Sequence, residues 1–284
     1  MIKRSNSNTW EVLHRLKKNK LAVIGMIIFA VEIVLAIIAP LIIPYSPTEM
    51  DYMNLQTGPC AAHWFGTDEL GRDIFSRLLY GSRYSLGLSV SSMLIALVLG
   101  VIFGSCAGFF GGMVDNIIMR VLDVFQAMPG LLMGVAISAA LGTGFFNTAL
   151  ALSIGWIPTM TRMLRGSILK VREMEFLEAA ESINCSKLRT IVTHVLPNSV
   201  SPLIVTATLC MANVIMGAAA LSFIGLGIQP PTPEWGAMLS SARAFFRDYP
   251  YMIIIPGIAI AITVLSLNVM GDGLRDAMDP KLKD

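Results

Sequence analysis

The sequence contains little charge. Only 14% of its 284 residues are Asp, Glu, Lys or Arg, whereas soluble globular chains carry about 25%. Hydrophobic residues make up 55% of the chain, and its mean hydropathy is +0.68. This composition excludes an ordinary soluble domain and indicates that lipid surrounds much of the chain. The net charge is only +2 and no basic run is interleaved with aromatic residues, so nucleic-acid binding is not expected.

Cysteine and histidine are also scarce. The four cysteines, Cys60, Cys106, Cys185 and Cys210, form no close pairs, and the three histidines are far apart in the sequence. These spacings predict neither a disulfide framework nor a metal site. The sequence also lacks a phosphate-binding G-x-x-x-x-G-K-[ST] loop and a coherent set of catalytic residues. We therefore expect no catalytic site and no bound cofactor in this chain.

Six apolar runs are candidates to cross about 30 Å of hydrocarbon. The first follows a basic N-terminus and lacks a small-residue cleavage site, so it is interpreted as a retained transmembrane helix. Placing the N-terminus in the cytoplasm puts 16 of the 21 Lys and Arg residues inside and 5 outside, which favours this orientation and a cytoplasmic C-terminus. The runs are approximately Leu21 to Ile43, Leu86 to Phe110, Val121 to Leu141, Thr148 to Met163, Pro202 to Phe223 and Met252 to Met270.

The segment "EFLEAAESINCSKLRTIVTHVLPN", Glu175 to Asn198, lies between the fourth and fifth runs. Asn184 is predicted to end a first helix, because Asn accepts a left-handed backbone. Ser186 is the predicted N-cap of a second helix, and Pro197 is predicted to stop that helix. Helical spacing predicts two apolar faces. They contain Phe176, Ala179, Ala180 and Ile183 in the first helix and Leu188, Ile191, Val192 and Val195 in the second.

Two interpretations of this segment stay open on pattern alone. In one, small Ala179 and Ala180 allow another backbone to come close and Glu178 offers a carboxylate to a basic partner. The segment would then dock into a groove on another protein. In the other, it is an interfacial connector that packs beneath its own helices.

The same segment resembles the conserved cytoplasmic loop of ABC importer permeases. In that family Glu-Ala-Ala is followed after three residues by Gly, and about a dozen residues later by Leu-Pro. The stretch differs at Asn184, where the family usually has glycine, which is a mild change in a left-handed turn. The resemblance implies that this loop, including Ile183 and Asn184, couples the chain to an ATP-binding subunit. The matching residues are Glu178, Ala179, Ala180, Leu196 and Pro197.

Four further stretches narrow the resemblance to the dipeptide/oligopeptide/nickel permease family, and within it to the C-type subunit. They occur in the expected order and cover nearly the whole chain. They are "GTDELGRDIFSRLLYGSRYSL", "DNIIMRVLDVFQAMP", "LSFIGLGIQPPTPEWGAML" and "GDGLRDAMDPKL".

The resemblance implies an all-α integral membrane protein with the type I ABC importer permease fold. Six transmembrane helices would form one leading helix and a five-helix core, with both termini cytoplasmic. Residues 1–83 would hold the cytoplasmic N-terminus, the first transmembrane helix and an extracytoplasmic segment. Residues 84–273 would form the permease core, with the coupling loop at about 170–198, and residues 274–284 a cytoplasmic tail.

The implied function is ATP-driven, binding-protein-dependent import across a bacterial or archaeal plasma membrane. The implied partners are a B-type permease, two ATP-binding subunits that hold ATP and Mg, and an extracytoplasmic substrate-binding protein. The preferred substrates are di- and oligopeptides, while nickel complexes, glutathione or another small solute stay open. No substrate-binding residue is identified.

Several residues on the predicted outer side have two interpretations. They could contact the binding protein, or they could be structural turn residues, and we favour the turn because Gly and Asp dominate turns. Trp235 could also anchor at the lipid interface. The set comprises Gly66, Asp68, Gly71, Arg72, Asp73 and Trp235.

Charged residues also cluster at the cytoplasmic end of the third run. Arg120 lies three residues before Asp123 and five after Asp115, so a local ion pair is predicted. A structural pair or a contact to the coupling helices is favoured over a substrate site.

Glu32 falls near the middle of the first run. An acid at that depth is costly and suggests a function, so an ion-coupled carrier using Glu32 is the alternative of a different class. The favoured interpretation is a protonated Glu32 hydrogen-bonded to a neighbouring helix. Asn147, Thr159, Asn213 and Asn268 could line a pathway or bond between helices.

Overall fold

The computed structural model describes residues 14–182 and 184–278. Throughout these residues the chain forms helices and loops without a strand, and an isolated bridge joins Thr67 to Asp73. The all-α prediction is confirmed for this part of the chain. Ile183 lies outside the described residues, as do the two ends of the sequence.

The helices are labelled in chain order. A helical turn over 14–18 precedes the first of them. They are α1 Lys20–Ile42, α2 Ile74–Phe110, α3 Gly112–Gln126, α4 Gly130–Leu141, α5 Phe145–Arg172, α6 Glu175–Ser182, α7 Lys187–Thr190, α8 Leu196–Ser199, α9 Ser201–Phe223, α10 Trp235–Ala242 and α11 Tyr251–Met278. A π-helical turn, Ile191–Val195, joins α7 to α8, and a short 3-10 turn, Arg243–Phe245, follows α10.

Four helices in the described residues, α1, α2, α9 and α11, are long and apolar enough to cross a membrane. Helices α3 and α4 meet at 87° and would make a fifth crossing if they form one broken span. The break lies just before Pro129, since proline disfavours a helical conformation in the residue that precedes it. The fourth predicted run lies within α5, a continuous helix that ends in polar and basic turns. The count of six spans therefore stays a prediction.

Helix α2 begins twelve residues before the predicted run. Asp73 caps it, because its Oδ2 accepts a hydrogen bond from the Ser76 N–H at 2.7 Å. The first turns of α2 contain buried polar residues. A search for apolar runs therefore places the start of this helix too late.

Glycines bring α2 and α5 into close contact. A Cβ at Gly104 would lie 2.9 Å from the Thr161 carbonyl oxygen, and one at Gly108 would lie 2.9 Å from the Ile168 Cβ. Gly100 faces the Cβ of Met160 in the same way. Small residues at a spacing of four allow helices in lipid to pack backbone to backbone. This contact fixes α5, which leads directly into α6.

Segments predicted to share one side of the membrane lie at the same end of the bundle. At one end, the Tyr251 hydroxyl lies 3.1 Å from the carbonyl oxygens of both Thr57 and Thr67 and donates its one hydrogen to this pair. At the other end, Gly273 packs on Ala22. Helix ends of α1, α2 and α11 that the distribution of Lys and Arg assigns to one side of the membrane therefore lie at one end of the bundle.

We predict that Gly100→Leu destabilises the bundle, because its side chain would collide with Met160. Overpacking of this kind costs about 1–3 kcal/mol, and it should lower the melting temperature of the detergent-purified protein. Gly257→Leu in α11 is the matched control, since a Cβ there meets nothing within 4 Å. Equal melting temperatures for both variants would contradict the proposed contact.

Candidate functional site

The segment from α6 to α8 folds as a helix, a turn and a second helical stretch. Asn184 has φ 55°, which confirms the predicted left-handed turn. The Cys185 N–H donates to the Ala180 carbonyl at 3.1 Å, a six-residue closure that commonly ends a helix at such a turn. Asn at this position thus supports the same chain reversal as glycine.

The predicted apolar faces are only partly correct. In α6, Leu177 and Ala180 are buried, whereas Phe176 and Ala179 are exposed. In the following stretch Val195 is fully buried and Leu188 is 73% exposed. Helical spacing assigned these residues to one apolar face, but some of them are buried and others exposed. The contacts of each helix with its neighbours decide which side is buried.

The prediction that Pro197 stops the second helix is wrong. Pro197 lies inside α8, and the chain stays helical from α7 through the π turn and α8. Proline lacks an N–H and its ring crowds the carbonyl four residues earlier, and the wider π turn directly before α8 makes room for it. Ser186 does occupy the N-cap of α7, but its side chain makes no capping bond.

The segment is anchored on one side and open on the other. Leu177 and Val195 insert into the hydrophobic core beside Ile168 and Val171. The opposite side, here called the loop face, combines exposed apolar side chains with the exposed Glu178. Such a patch rimmed by polar groups is typical of a protein contact. The loop face comprises Met174, Phe176, Glu178, Ala179, Leu188 and Val192.

The two acids of α3 pair with arginines of α5. Asp115 receives two hydrogen bonds from Arg165, both 2.5 Å, and Asp123 receives one from Arg162 at 2.6 Å. Arg162 also contacts Gln126. The predicted Arg120–Asp123 pair is 4.0 Å long with Arg120 87% exposed, so it adds little. The dominant partners were missed because they come from another helix.

The outer polar residues form a buried network. Asp68 accepts hydrogen bonds from the Arg72 N–H at 3.0 Å and Arg72 Nε at 2.7 Å, and it lies 3.4 Å from Arg77 Nε. Asp73, besides capping α2, lies 3.0 Å from Nδ1 of His63. These bonds support the structural-turn interpretation, since the side chains make their hydrogen bonds to other residues of the same chain.

The two glycines of this region hold tight turns. Gly66 and Gly71 have φ values of 77° and 75°, a conformation that a side chain disfavours. A Cβ at Gly71 would also collide with the Asp51 carbonyl. Both positions therefore serve the fold of the outer segment.

Trp235 does not face lipid. It is 3% exposed, and its Nε1–H donates to the Leu78 carbonyl at 3.0 Å. The preceding Glu234 caps α10 by accepting the N–H groups of Gly236 and Ala237, and it also accepts the Ser85 hydroxyl. Burial raises the pKa of the Glu234 carboxyl. Sequence reasoning missed Glu234, because glutamate is not among the usual N-cap residues.

A family model described as "Binding-protein-dependent transport system inner membrane component" matches residues 96–284, more than half of the chain. The chain belongs to this family. A second model, "N-terminal TM domain of oligopeptide transport permease C", matches residues 7–59, which include α1. The chain is therefore a permease, the membrane component of a binding-protein-dependent transport system.

Curated relatives cover almost the whole permease. It is 45% identical over 273 residues to the dipeptide transport system permease protein DppC of Alkalihalophilus pseudofirmus, covering 96% of this chain and 90% of the relative. It is 44% identical over 274 residues to the glutathione transport system permease protein GsiD of Escherichia coli, with the same coverage.

Solved structures establish the fold. The permease is similar to a chain of the inward-facing MetNI methionine ABC transporter, with TM-score 0.58 and 16% identity over 72% of this chain and 97% of that one. A chain of an amino acid ABC transporter gives TM-score 0.53 at 14% identity, covering 70% and 92%. The ABC importer permease fold predicted from the resemblance is confirmed.

Glu32 of the permease contacts a neighbouring helix, as predicted. The Thr263 hydroxyl of α11 lies 3.0 Å from Glu32 Oε1 and 2.9 Å from the Ala259 carbonyl. A hydroxyl has one hydrogen, so both contacts form hydrogen bonds together only if Glu32 is protonated and donates to Thr263. The other carboxyl oxygen, Oε2, is buried without a partner among the described residues. This arrangement fits a neutral acid that joins α1 to α11.

We predict that Glu32→Gln retains uptake, because the amide N–H also reaches the Thr263 hydroxyl. Uptake by reconstituted permease complexes should stay within about twofold of the wild type, the effect of one near-isosteric hydrogen-bond exchange. Glu32→Lys is the contrast, since a cation there is expected to impair assembly. Abolished uptake in a normally assembled Glu32→Gln complex would instead place the carboxyl in an ion-coupled mechanism.

Proposed function

We propose that the permease imports small peptides in an ATP-driven complex. The observation that carries this proposal is the segment from α6 to α8, here called the coupling segment, which exposes the loop face while Leu177 and Val195 bind it to the core. A segment built in this way transmits the movement of a docked partner to the helices. Relatives named for dipeptide and glutathione transport support a peptide substrate.

The proposed topology has six transmembrane helices and cytoplasmic termini. The bent pair α3–α4 supplies the third crossing and α5 the fourth. Grouping of the basic segments at the end of the bundle that holds α6 supports this orientation. The loop face then lies in the cytoplasm, and the membrane is a bacterial or archaeal plasma membrane.

ATP and Mg belong, in this proposal, to two separate ATP-binding subunits. One of them receives the loop face in a groove, and Glu178 offers its carboxylate to a basic side chain there. Closure of these subunits would move α6 together with α5 as a rigid body. The Asp115–Arg165 and Asp123–Arg162 pairs would carry α3 along.

The outer end is the proposed contact region for a substrate-binding protein. Asp68, Arg72, Asp73 and Trp235 are buried, so they support the shape of this region from within. Exposed side chains of the same segment, among them Tyr52, Met53 and Trp64, present the surface that such a partner would meet. A second, B-type permease would complete the translocation pathway.

We predict that Glu178→Arg and Ala179→Trp uncouple transport. Charge reversal or added bulk on the loop face should weaken docking, so ATP-driven uptake in proteoliposomes is expected to fall at least about tenfold. Both positions are exposed, so the bundle itself should keep its melting temperature.

Asp276→Arg on the exposed end of α11, outside the loop face, is the matched charge reversal that should leave uptake unchanged. Normal ATP-driven uptake in both loop-face variants would refute docking. Uptake driven by a proton gradient without ATP would refute the ATP-driven mechanism as a whole.

A further inference from the structure

Two cavities lie on one side of α9. One, of about 280 Å³, lies open between α4, α5 and α9 and is lined in part by Gly130, Gly155, Trp156 and Asn213. The other, of about 380 Å³, lies between α5, α9 and α11 and includes Met163 and Thr206. Both contact α5 and α9, and together they are here called the groove.

Helical spacing places both cavities on one face of α9. Lining residues Thr206, Leu209, Asn213 and Gly217 of α9 recur every three or four positions, which places them on one helix face. The lining of α9 runs from position 201 to position 221. At 1.5 Å per residue this is about 30 Å, the thickness of the hydrocarbon layer.

A polar side chain in this groove argues against contact with lipid. Asn213 is exposed on the middle of α9, and its amide makes only a long 3.4 Å bond to the Leu209 carbonyl of its own helix. Polar groups at this depth usually face a protein or a water-filled cavity. Trp156, which carries an N–H donor and no acceptor, lines the same cavity.

Two glycines of the groove, Gly130 and Gly155, are not required by packing within the described part of the chain. A Cβ at Gly130 or Gly155 would meet nothing within 4 Å, in contrast to Gly104 in the α2–α5 contact. Glycine inside a helix costs about 1 kcal/mol relative to alanine. At Gly155, in the middle of α5, the absence of a side chain leaves space free in the cavity.

We propose that this groove is the surface with which the permease binds the backbone of its peptide substrate. The Asn213 amide can donate to a peptide carbonyl and accept from a peptide N–H, and the Trp156 N–H can donate to a second carbonyl. The neighbouring glycines leave room for side chains of different size. Asn213 and Trp156 are then specificity-determining residues for amide-bearing solutes. This inference depends on the proposed import of peptides.

The test compares a dipeptide with its ester analogue, in which oxygen replaces the peptide N–H. Both are offered to proteoliposomes containing the whole transport complex and the same binding protein. Asn213→Leu is expected to slow dipeptide uptake about tenfold and ester uptake by less, because the ester keeps a carbonyl that can accept from Asn213 but lacks the N–H that donates to it. Asn268→Leu in α11, outside both cavities, should leave both rates unchanged.

A second variant tests whether the free space at Gly155 accommodates substrate side chains. Gly155→Leu should fold, since nothing obstructs its Cβ, and should reduce uptake of a bulky dipeptide more than that of Gly-Gly. Gly257→Leu is the matched control. Equal slowing of dipeptide and ester by Asn213→Leu, or no slowing, would overturn the proposal that the groove binds the peptide backbone. Failure of the wild-type complex to import any peptide would instead refute the proposed function.

Discussion

The close contact between α2 and α5 is the interaction on which the rest of the structure depends. In lipid, apolar side chains gain little by leaving the solvent, so helices associate through tight packing and hydrogen bonds. Gly104 and Gly108 provide that packing by admitting the backbone and side chains of α5. Once α5 is fixed at its middle, the direction of its basic C-terminal turns and of α6 is also fixed.

Helix α5 connects the parts of the permease that move together in the proposed mechanism. Its arginines hold the acids of α3, its end leads into the coupling segment, and its opposite flank lines the groove beside α9. A force applied at the loop face would reach the groove through a single helix. The ion pairs extend the same motion to α3, since both bonds of Arg165 to Asp115 resist sliding as well as separation.

Features set by the local chain could be predicted from the sequence, and features set by neighbouring helices could not. The left-handed turn at Asn184 depends on residue type, and the long helices depend on apolar length. The partners of Asp115 and Asp123, the buried side of α6 and the path through Pro197 depend on where α5 and the core lie. Glu32 is intermediate, because its cost in lipid predicted a partner but not that the partner would be Thr263.

The glycines of this permease serve two different purposes, and the structure distinguishes them by what a Cβ would meet. At Gly100, Gly104 and Gly108 a Cβ would strike the facing helix, so glycine is explained by packing. At Gly155, on another side of α5, a Cβ would meet nothing within 4 Å, so the helix gives up stability without gaining a contact. Contacts within the described residues account for the first set and not for Gly155. In the proposed function, an occupant of the groove that varies in shape accounts for Gly155, because space must be kept for side chains that differ from one substrate to the next.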